Sequence, residues 1–510
     1  MFKKLSVAIT ATLISSSAFA LAPTTAPDIE IFMSGASAQD KGIAALFSDL
    51  CVAGTLDTFK DVANPSKKGK AHTAYFCTID SSKITGGTPA AGVNPGVLFH
   101  KRSAGGSAQG VNPVIDEQAI DAMAINNSNC TETAVGSKVW DCTISNTGDL
   151  IQVVSDAGVS DVNPEMFIKQ NTPFGSSPVD ATVVAAKMEV KGAAALVFGI
   201  PVTTTLRDAL QVAEFGATST CVTDKYDPTN PADVPTAHAA ETEACMPTMS
   251  RAQVASIMQG NVKRWSNFFV NGTALTAIAG VSLPSDNKVH VCRRTNGSGT
   301  QAQMSAKFLN YPCTAGGVSP RSAPGNGFFG PVVVENSGSG DMTQCLNDLN
   351  DGTNVSARVN PSLKTAWAVG IQSTEKNADL GDSFRFIKID GYAPTLSNAV
   401  AGRYADVVEQ TFQWRKTGAL PLTGDKLNVV DTIASNASKP SVLATVAKLN
   451  PSYVHPWGQA GYLALSTNGF TPTIPFTATN PVTPYSHAVG GPLDNCRMPV
   501  VNPAIGNSEL

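Results

Sequence analysis

Residues 288–309, KVHVCRRTNGSGTQAQMSAKFL, constrain the fold more than any other part of this chain. Val289 and Val291 alternate with His290 and Cys292 as on a strand, and after two arginines Met304, Phe308 and Leu309 recur at helical spacing. A strand that runs through Asn-Gly-Ser-Gly-Thr into a helix is half of an α/β unit. The first amides of that helix have no internal partner and sit at the positive end of its dipole. Gly297 and Gly299 admit a ligand close to the backbone, Ser298 and Thr300 add hydroxyls, and Arg294 adds a planar charged fork suited to a tetrahedral oxyanion. Gly-Ser turns also occur on plain protein surfaces, so the rest of the chain has to decide between the two readings.

The remainder repeats the same alternation. Apolar strand patterns such as DIEIFMS and LIQVVSDAG alternate with helical ones such as GIAALFSDL and SRAQVASIMQG, which predicts an α/β fold. In the last of these Ser250 is the expected N-cap, Val254, Ile257 and Met258 form the apolar stripe, and Gly260 stands where the helix should stop. A chain of 510 residues buries a large core and is expected to form two domains or more. Polar, Pro-rich stretches at 86–96, 221–245 and 470–484 read as surface loops. There is no internal repeat and no heptad run.

The first residues, MFKKLSVAITATLISSSAFALA, have two lysines, a short apolar stretch and Ala18-Phe19-Ala20, the pattern of a secretory signal cut after Ala20. Ten cysteines, none in a C-x-x-C pair, fit an oxidising compartment and a disulfide framework. Sequence leaves the connectivity open; neighbour pairing would join 51 with 77, 130 with 142, 221 with 245 and 292 with 313, leaving 345 with 496. The six histidines are scattered without metal spacing, so no metal or cofactor is expected. The net charge of −4 comes without a basic cluster, which argues against nucleic acid and membrane surfaces as partners. It leaves a small anion open, because local donors govern a buried site.

MSRAQVASIMQGNVKRWSNF followed by SLPSDNKVHVCRRTNGSGTQAQMSAKFL resembles, in order and spacing, a segment of the phosphate-binding proteins of bacterial ABC phosphate importers. There a helix, a G-x-x-x-x-W turn, an L-P lead-in and an R-R-x-D-G-S-G-T loop follow one another. IEIFMSGASAQDKGIAALFSDL is similar to the first strand, anion loop and helix of that family, VVSDAGVSDVNPEMF to its D-F-G-A-S-D-A-P-L segment, AAALVFGIP to its first crossover strand, and AWAVGIQS to a later strand of its second domain.

The resemblance implies two α/β lobes of the periplasmic-binding-protein type, joined by crossing strands with the ligand between them. Carried onto this chain, 1–20 is the signal, 21–199 the first part of lobe I, 200–455 lobe II, and 456–510 the return to lobe I. It implies a periplasmic monomer that binds phosphate or a similar oxyanion and delivers it to the membrane component of an ABC importer. Arg294, Ser298, Gly299 and Thr300 fall on ligand positions of lobe II. Asp161 falls on the carboxylate that accepts a proton from hydrogen phosphate; read on its own, it is equally a helix N-cap before Pro164. Ala38 and Gln39 fall in the first anion loop, and Ser103 or Ser107 on a hydroxyl donor.

Two departures bear on the ligand. Gln39 and Asp40 replace a hydroxyl donor and an apolar residue, and a carboxylate beside a dianion repels it unless a cation intervenes. Asn296 replaces the acid that orients the arginine. An enzyme is disfavoured, since no base is placed to activate Ser298 and no G-x-S-x-G elbow occurs. The alternative from another class is a surface interaction protein that keeps the fold without transport.

Overall fold

The computed structural model describes residues 25–62, 71–227, 229–230, 232–233, 237–323, 325–326, 329–357, 359–376, 381–445 and 461–505. The expected signal and its cleavage point lie outside these residues.

DIEIFMS forms β1 (Ile29–Gly35), with Ile29, Ile31 and Met33 buried on alternate positions. Helix α1 (Asp40–Leu50) follows it and packs Ile43, Leu46, Phe47 and Leu50 into the same core. β1 lies between two parallel partners, β2 (Gly96–Arg102) and β3 (Ala157–Ser160). Parallel neighbours release their chains at one edge of the sheet, so the segments after β1, β2 and β3 converge there. LIQVVSDAG splits in two. Leu150–Val154 pairs with Ala119–Met123 in a separate ribbon, and only β3 joins the large sheet. The break falls at Ser155; Asp156 is already bonded to β1, its amide donating to the Phe32 carbonyl at 2.8 Å and its carboxylate accepting from Phe32 N at 2.9 Å and from Lys426 Nζ at 3.0 Å.

The long β4 (Met188–Gly199) carries the chain out of this twelve-stranded sheet, and β5 (Pro201–Thr203) belongs to a second sheet of six strands. Gly199 marks the crossing, where a Cβ would stand 2.6 Å from the Phe386 ring. Helix α2 (Arg251–Gln259) has the expected ends. Ser250 and Gln253 cap each other's backbone amides, and Gly260 closes the helix at φ 84°. Next come β6 (Asp286–Arg294), α3 (Gly299–Leu309), β7 (Val332–Asn336), α4 (Ser339–Asp351), β8 (Ala366–Val369) and β9 (Phe384–Phe386). β6 runs parallel to both β7 and β8, so this sheet repeats the logic of the first. Trp265 and Trp367 meet edge to face at its centre, and Trp265 Nε1 donates to the Trp367 carbonyl at 3.1 Å.

The return to the large sheet corrects the expected boundary. β10 (Val407–Arg415) pairs antiparallel with both β3 and β4, so the chain is back in the first sheet by Val407 rather than at 456. Tyr404 fixes the turn, its hydroxyl donating 2.8 Å to the Phe198 carbonyl on the outgoing strand. The chain therefore passes between the two lobes near Gly199 and near Tyr404, and in between it touches the large sheet again at Gln372–Ser373, which pair with Gly199 and Phe198.

Disulfides join Cys51–Cys77, Cys130–Cys142 and Cys221–Cys245 as neighbour pairing predicts. The other four cysteines pair differently: Cys292–Cys345 and Cys313–Cys496 replace 292–313 and 345–496. Cys292 points from β6 into the core where α4 packs and carries Cys345, whereas Cys313 lies past the end of α3 and meets the C-terminal segment. No helix among the described residues is long and apolar enough to cross a membrane.

Candidate functional site

The C-terminal ends of the parallel strands in the two mixed sheets face each other, and all the predicted site residues gather there. From the second sheet comes Arg294, the last residue of β6, 1 % exposed. Its Nε donates to the Asn336 carbonyl at 3.1 Å and Nη2 to the Ser337 carbonyl at 2.7 Å. Nη2 also reaches Ser37 Oγ at 3.3 Å across the cleft, and Nη1 has only a 3.5 Å contact with Thr300 Oγ1. Burial lowers the Arg294 pKa, yet a guanidinium stays charged at any ordinary pH. Asn296 does not orient it: the Asn296 side chain accepts from Arg293 Nη2 at 2.9 Å, and backbone carbonyls after β7 hold Arg294 instead.

Helix α3 opens at Gly299. Ser298 caps it, its hydroxyl oxygen accepting from Gln301 N at 3.3 Å. Gly299 is held between lobes so closely that a Cβ would stand 2.4 Å from Ser107 Oγ and 2.9 Å from Asp161 Cβ. Thr300 Oγ1 donates to Asp161 Oδ2 at 2.9 Å.

From the first sheet comes Asp161, immediately after β3 and 1 % exposed. Gln39 Nε2 donates to its Oδ1 at 3.1 Å, and its own amide donates to Ser107 Oγ at 3.3 Å. Burial raises the Asp161 pKa, opposed by the bonds from Gln39 and Thr300 and by the charges of Arg294 and Lys101. The turn at Pro164 starts from Asn163 instead, so Asp161 does not serve as its cap. Gln39 also donates to the Ser160 carbonyl at 3.0 Å, and its buried Oε1 has no hydrogen-bond partner among the described residues. Ala38 belongs to the loop by its backbone only; its methyl packs into the core and its carbonyl accepts from Tyr462 Oη at 3.4 Å.

Sequence reasoning missed three parts of the site. The cation that answers Asp40 is Lys101, wholly buried on β2, with Nζ 3.1 Å from Asp40 Oδ1 and 2.8 Å from Ser103 Oγ. Lys101 Nζ also donates to the carbonyls of Gly35 and Ala36, so it ties down the first anion loop. Ser103 donates to Asp40 at 2.6 Å, a use different from ligand donor. The second part is Ser37, whose hydroxyl lies between Arg294 and the α4 amide of Ser339 at 3.2 Å. The third is α4 itself, which opens at Ser339 after Asn336-Ser337-Gly338. Its lead-in VVVENSGSGD repeats the strand, Gly-Ser turn and helix of 288–309, and that signal was open to view.

Fold and site together define a two-lobe α/β protein whose lobes bring two helix N-termini, several hydroxyls, the carboxylates of Asp161 and Asp40, the Lys101 ammonium and the Arg294 guanidinium to a shared cleft. No family model and no curated protein matches the chain. Among solved structures it is similar to the ancestral soluble variant of the Human Phosphate Binding Protein, at 11 % identity over 84 % of this chain and 90 % of that one, with a TM-score of 0.36. It is similar also to a phosphate-binding protein from Stenotrophomonas maltophilia (11 % identity, 82 % and 83 % covered, TM-score 0.33) and to an ABC-type phosphate transport receptor from Vibrio cholerae (14 %, 59 % and 79 %, 0.29). Scores of this size fix neither fold nor ligand; the architecture follows from the two sheets and the strands that cross between them.

Proposed function

We propose that this protein captures a small oxyanion, phosphate first among them, between its lobes and acts as an exported solute-binding protein for an ABC importer. One observation carries the reading. Arg294 is buried at 1 % exposure, and no carboxylate among the described residues lies within ion-pair distance of its guanidinium. The charges of Asp161, Asp341 and Asp40 reach it only from a distance, and an anion at Nη1 and the α3 amides would place a countercharge in direct contact with a buried guanidinium. The repulsion expected from Asp40 is answered by Lys101, which balances that carboxylate. Delivery to an importer is the transport role that the family resemblance implies.

Asp161 would set the choice of anion. As a carboxylate it accepts a hydrogen bond only from an anion that still carries a proton, so hydrogen phosphate satisfies it and sulfate meets it lone pair to lone pair. Gln39 and Thr300 already donate to its two oxygens, so the penalty against sulfate is repulsion at the remaining lone pairs, and phosphate should be preferred by at least a few-fold. Titration calorimetry on the purified protein tests this. Arg294→Ala should abolish phosphate binding, and Asp161→Asn should narrow the gap between phosphate and sulfate. Wild-type affinity in Arg294→Ala would reduce the 288–309 stretch to a turn and end the reading.

A further inference from the structure

We propose that the two lobes are fastened to each other along α3 and do not swing apart, so that an oxyanion reaches Arg294 through a narrow mouth rather than by opening of the cleft. The fastening stands on packing alone; only the identity of what passes the mouth rests on the function proposed above.

Helix α3 follows β6 and so belongs to the second lobe. Its Ala302 and Ala306 are nevertheless buried in an apolar cluster whose other members, among them Val111, Val114, Val162, Phe167 and Val184, belong to the first. Lobes that open and close meet through polar surface, and a shared apolar core opposes their separation. At the site end of α3 the two backbones touch. Ala108 N donates to the Gly297 carbonyl at 2.8 Å, an amide-to-carbonyl bond between lobes. Glycines make this approach possible: a Cβ on Gly106 would stand 2.9 Å from Ser298 Cα, and one on Gly297 would stand 2.6 Å from Pro173 Cγ.

The far end of α3, about 16 Å away at the usual helical rise, is tied as well. Tyr311 Oη accepts from Gln170 N at 2.7 Å, and the Pro312 carbonyl accepts from Lys169 Nζ at 3.3 Å. Cys313 is bonded to Cys496. The segment that holds Cys496 is anchored in turn to the first lobe, where Asn163 and Asn495 exchange bonds of 2.8 and 3.0 Å and the His487 ring is bonded to Glu409 of β10. Rotation about the crossings near Gly199 and Tyr404 would have to break one end of this seam or the other.

On the opposite side of the site only Ser37, whose hydroxyl is bonded to Ser339 at 3.1 Å, stands between Arg294 and a surface cavity. A cavity of about 50 Å³, lined by Ser37, Asp40, Ser103, Ser339, Asp341 and Lys376, adjoins Ser37, which touches Arg294 directly. This is the proposed mouth.

Hydrogen exchange and small-angle scattering on the full chain, with and without inorganic phosphate, decide the matter. In phosphate-free protein the Ala108 amide should exchange about as slowly as Val197 in the core strand β4, and phosphate should slow both by the same factor and leave the radius of gyration unchanged. The proposal is overturned if Ala108 exchanges about tenfold faster than Val197 and phosphate slows it by the larger factor, or if the radius shrinks on binding. Should phosphate fail to bind, the oxyanion reading falls, and exchange of Ala108 in the free protein still settles the fastening: slow supports it, fast overturns it.

Discussion

Lys101 shows how one buried side chain can decide whether a site is usable. Its ammonium is desolvated, which lowers its pKa, and the Asp40 carboxylate 3.1 Å away is the first influence opposing that. Lys101→Met should remove that partner together with the bonds to the Gly35 and Ala36 carbonyls, and destabilise the protein by about 3 kcal/mol in urea melts. Adding Asp40→Asn should recover part of the loss, because the stranded charge then disappears; a double variant no better than the single one would show that Lys101 acts by packing only. Arg294 was legible in the sequence because it stands before a Gly-Ser turn and a helix. Lys101 was not. It sits in LFHKRS, where alternation along a strand cannot say which of several charged residues turns inward. The orientation of Arg294 was likewise hidden, since the carbonyls that hold it come from a strand some forty positions later in the chain.

At the scale of elements the local signals in the sequence are strong. Ser250, Gln253 and Gly260 announced both ends of α2, and the structure uses all three. Ser250→Ala should cost about 1 kcal/mol of stability, measured by thermal or urea unfolding, and Ser250→Asp should cost much less. Equal losses for both would mean the capping bond contributes nothing. The interruption of LIQVVSDAG shows the limit of such reading. Periodicity continues through Ser155 and Asp156, but the ladder breaks at Ser155, and Asp156 is already bonded to β1. The lead-in to α4 carries the same signal as that of α3 but without an arginine. Its place at the cleft depends on β7 lying beside β6, which is a tertiary fact.

At the scale of the whole molecule, the point where the chain returns to the first lobe carries a titratable group. Asp406 stands just before β10, is 1 % exposed, and neither of its oxygens has a hydrogen-bond partner among the described residues. Burial raises its pKa to about 6, with Arg251 and Lys307 opposing the shift. The folded state then holds a proton that the unfolded chain releases at its ordinary value near 4. Stability from this group is therefore full below about pH 4, falls as pH rises to about 6, and is constant above. Asp406→Asn should gain about 3 kcal/mol over wild type at pH 7 and nothing at pH 4, read from denaturant melts across that range. An equal difference at every pH would remove titration as the cause. The boundary near 456 was misplaced because a crossing strand has no composition of its own; β10 is a buried strand like any other until its neighbours are known.

The pairing of Cys292 with Cys345 and of Cys313 with Cys496 also constrains how the chain is assembled. The two bonds interleave, spanning 53 and 183 positions. A polypeptide that oxidises its nearest thiols first joins 292 to 313, since loop closure favours the shorter ring. That bond would separate β6 from α4 and leave the C-terminal segment without its tether. For a chain oxidised in that order, maturation requires thiolate attack that breaks the early bond and hands its sulfurs on, and yield should follow the supply of an isomerase more closely than the supply of an oxidant.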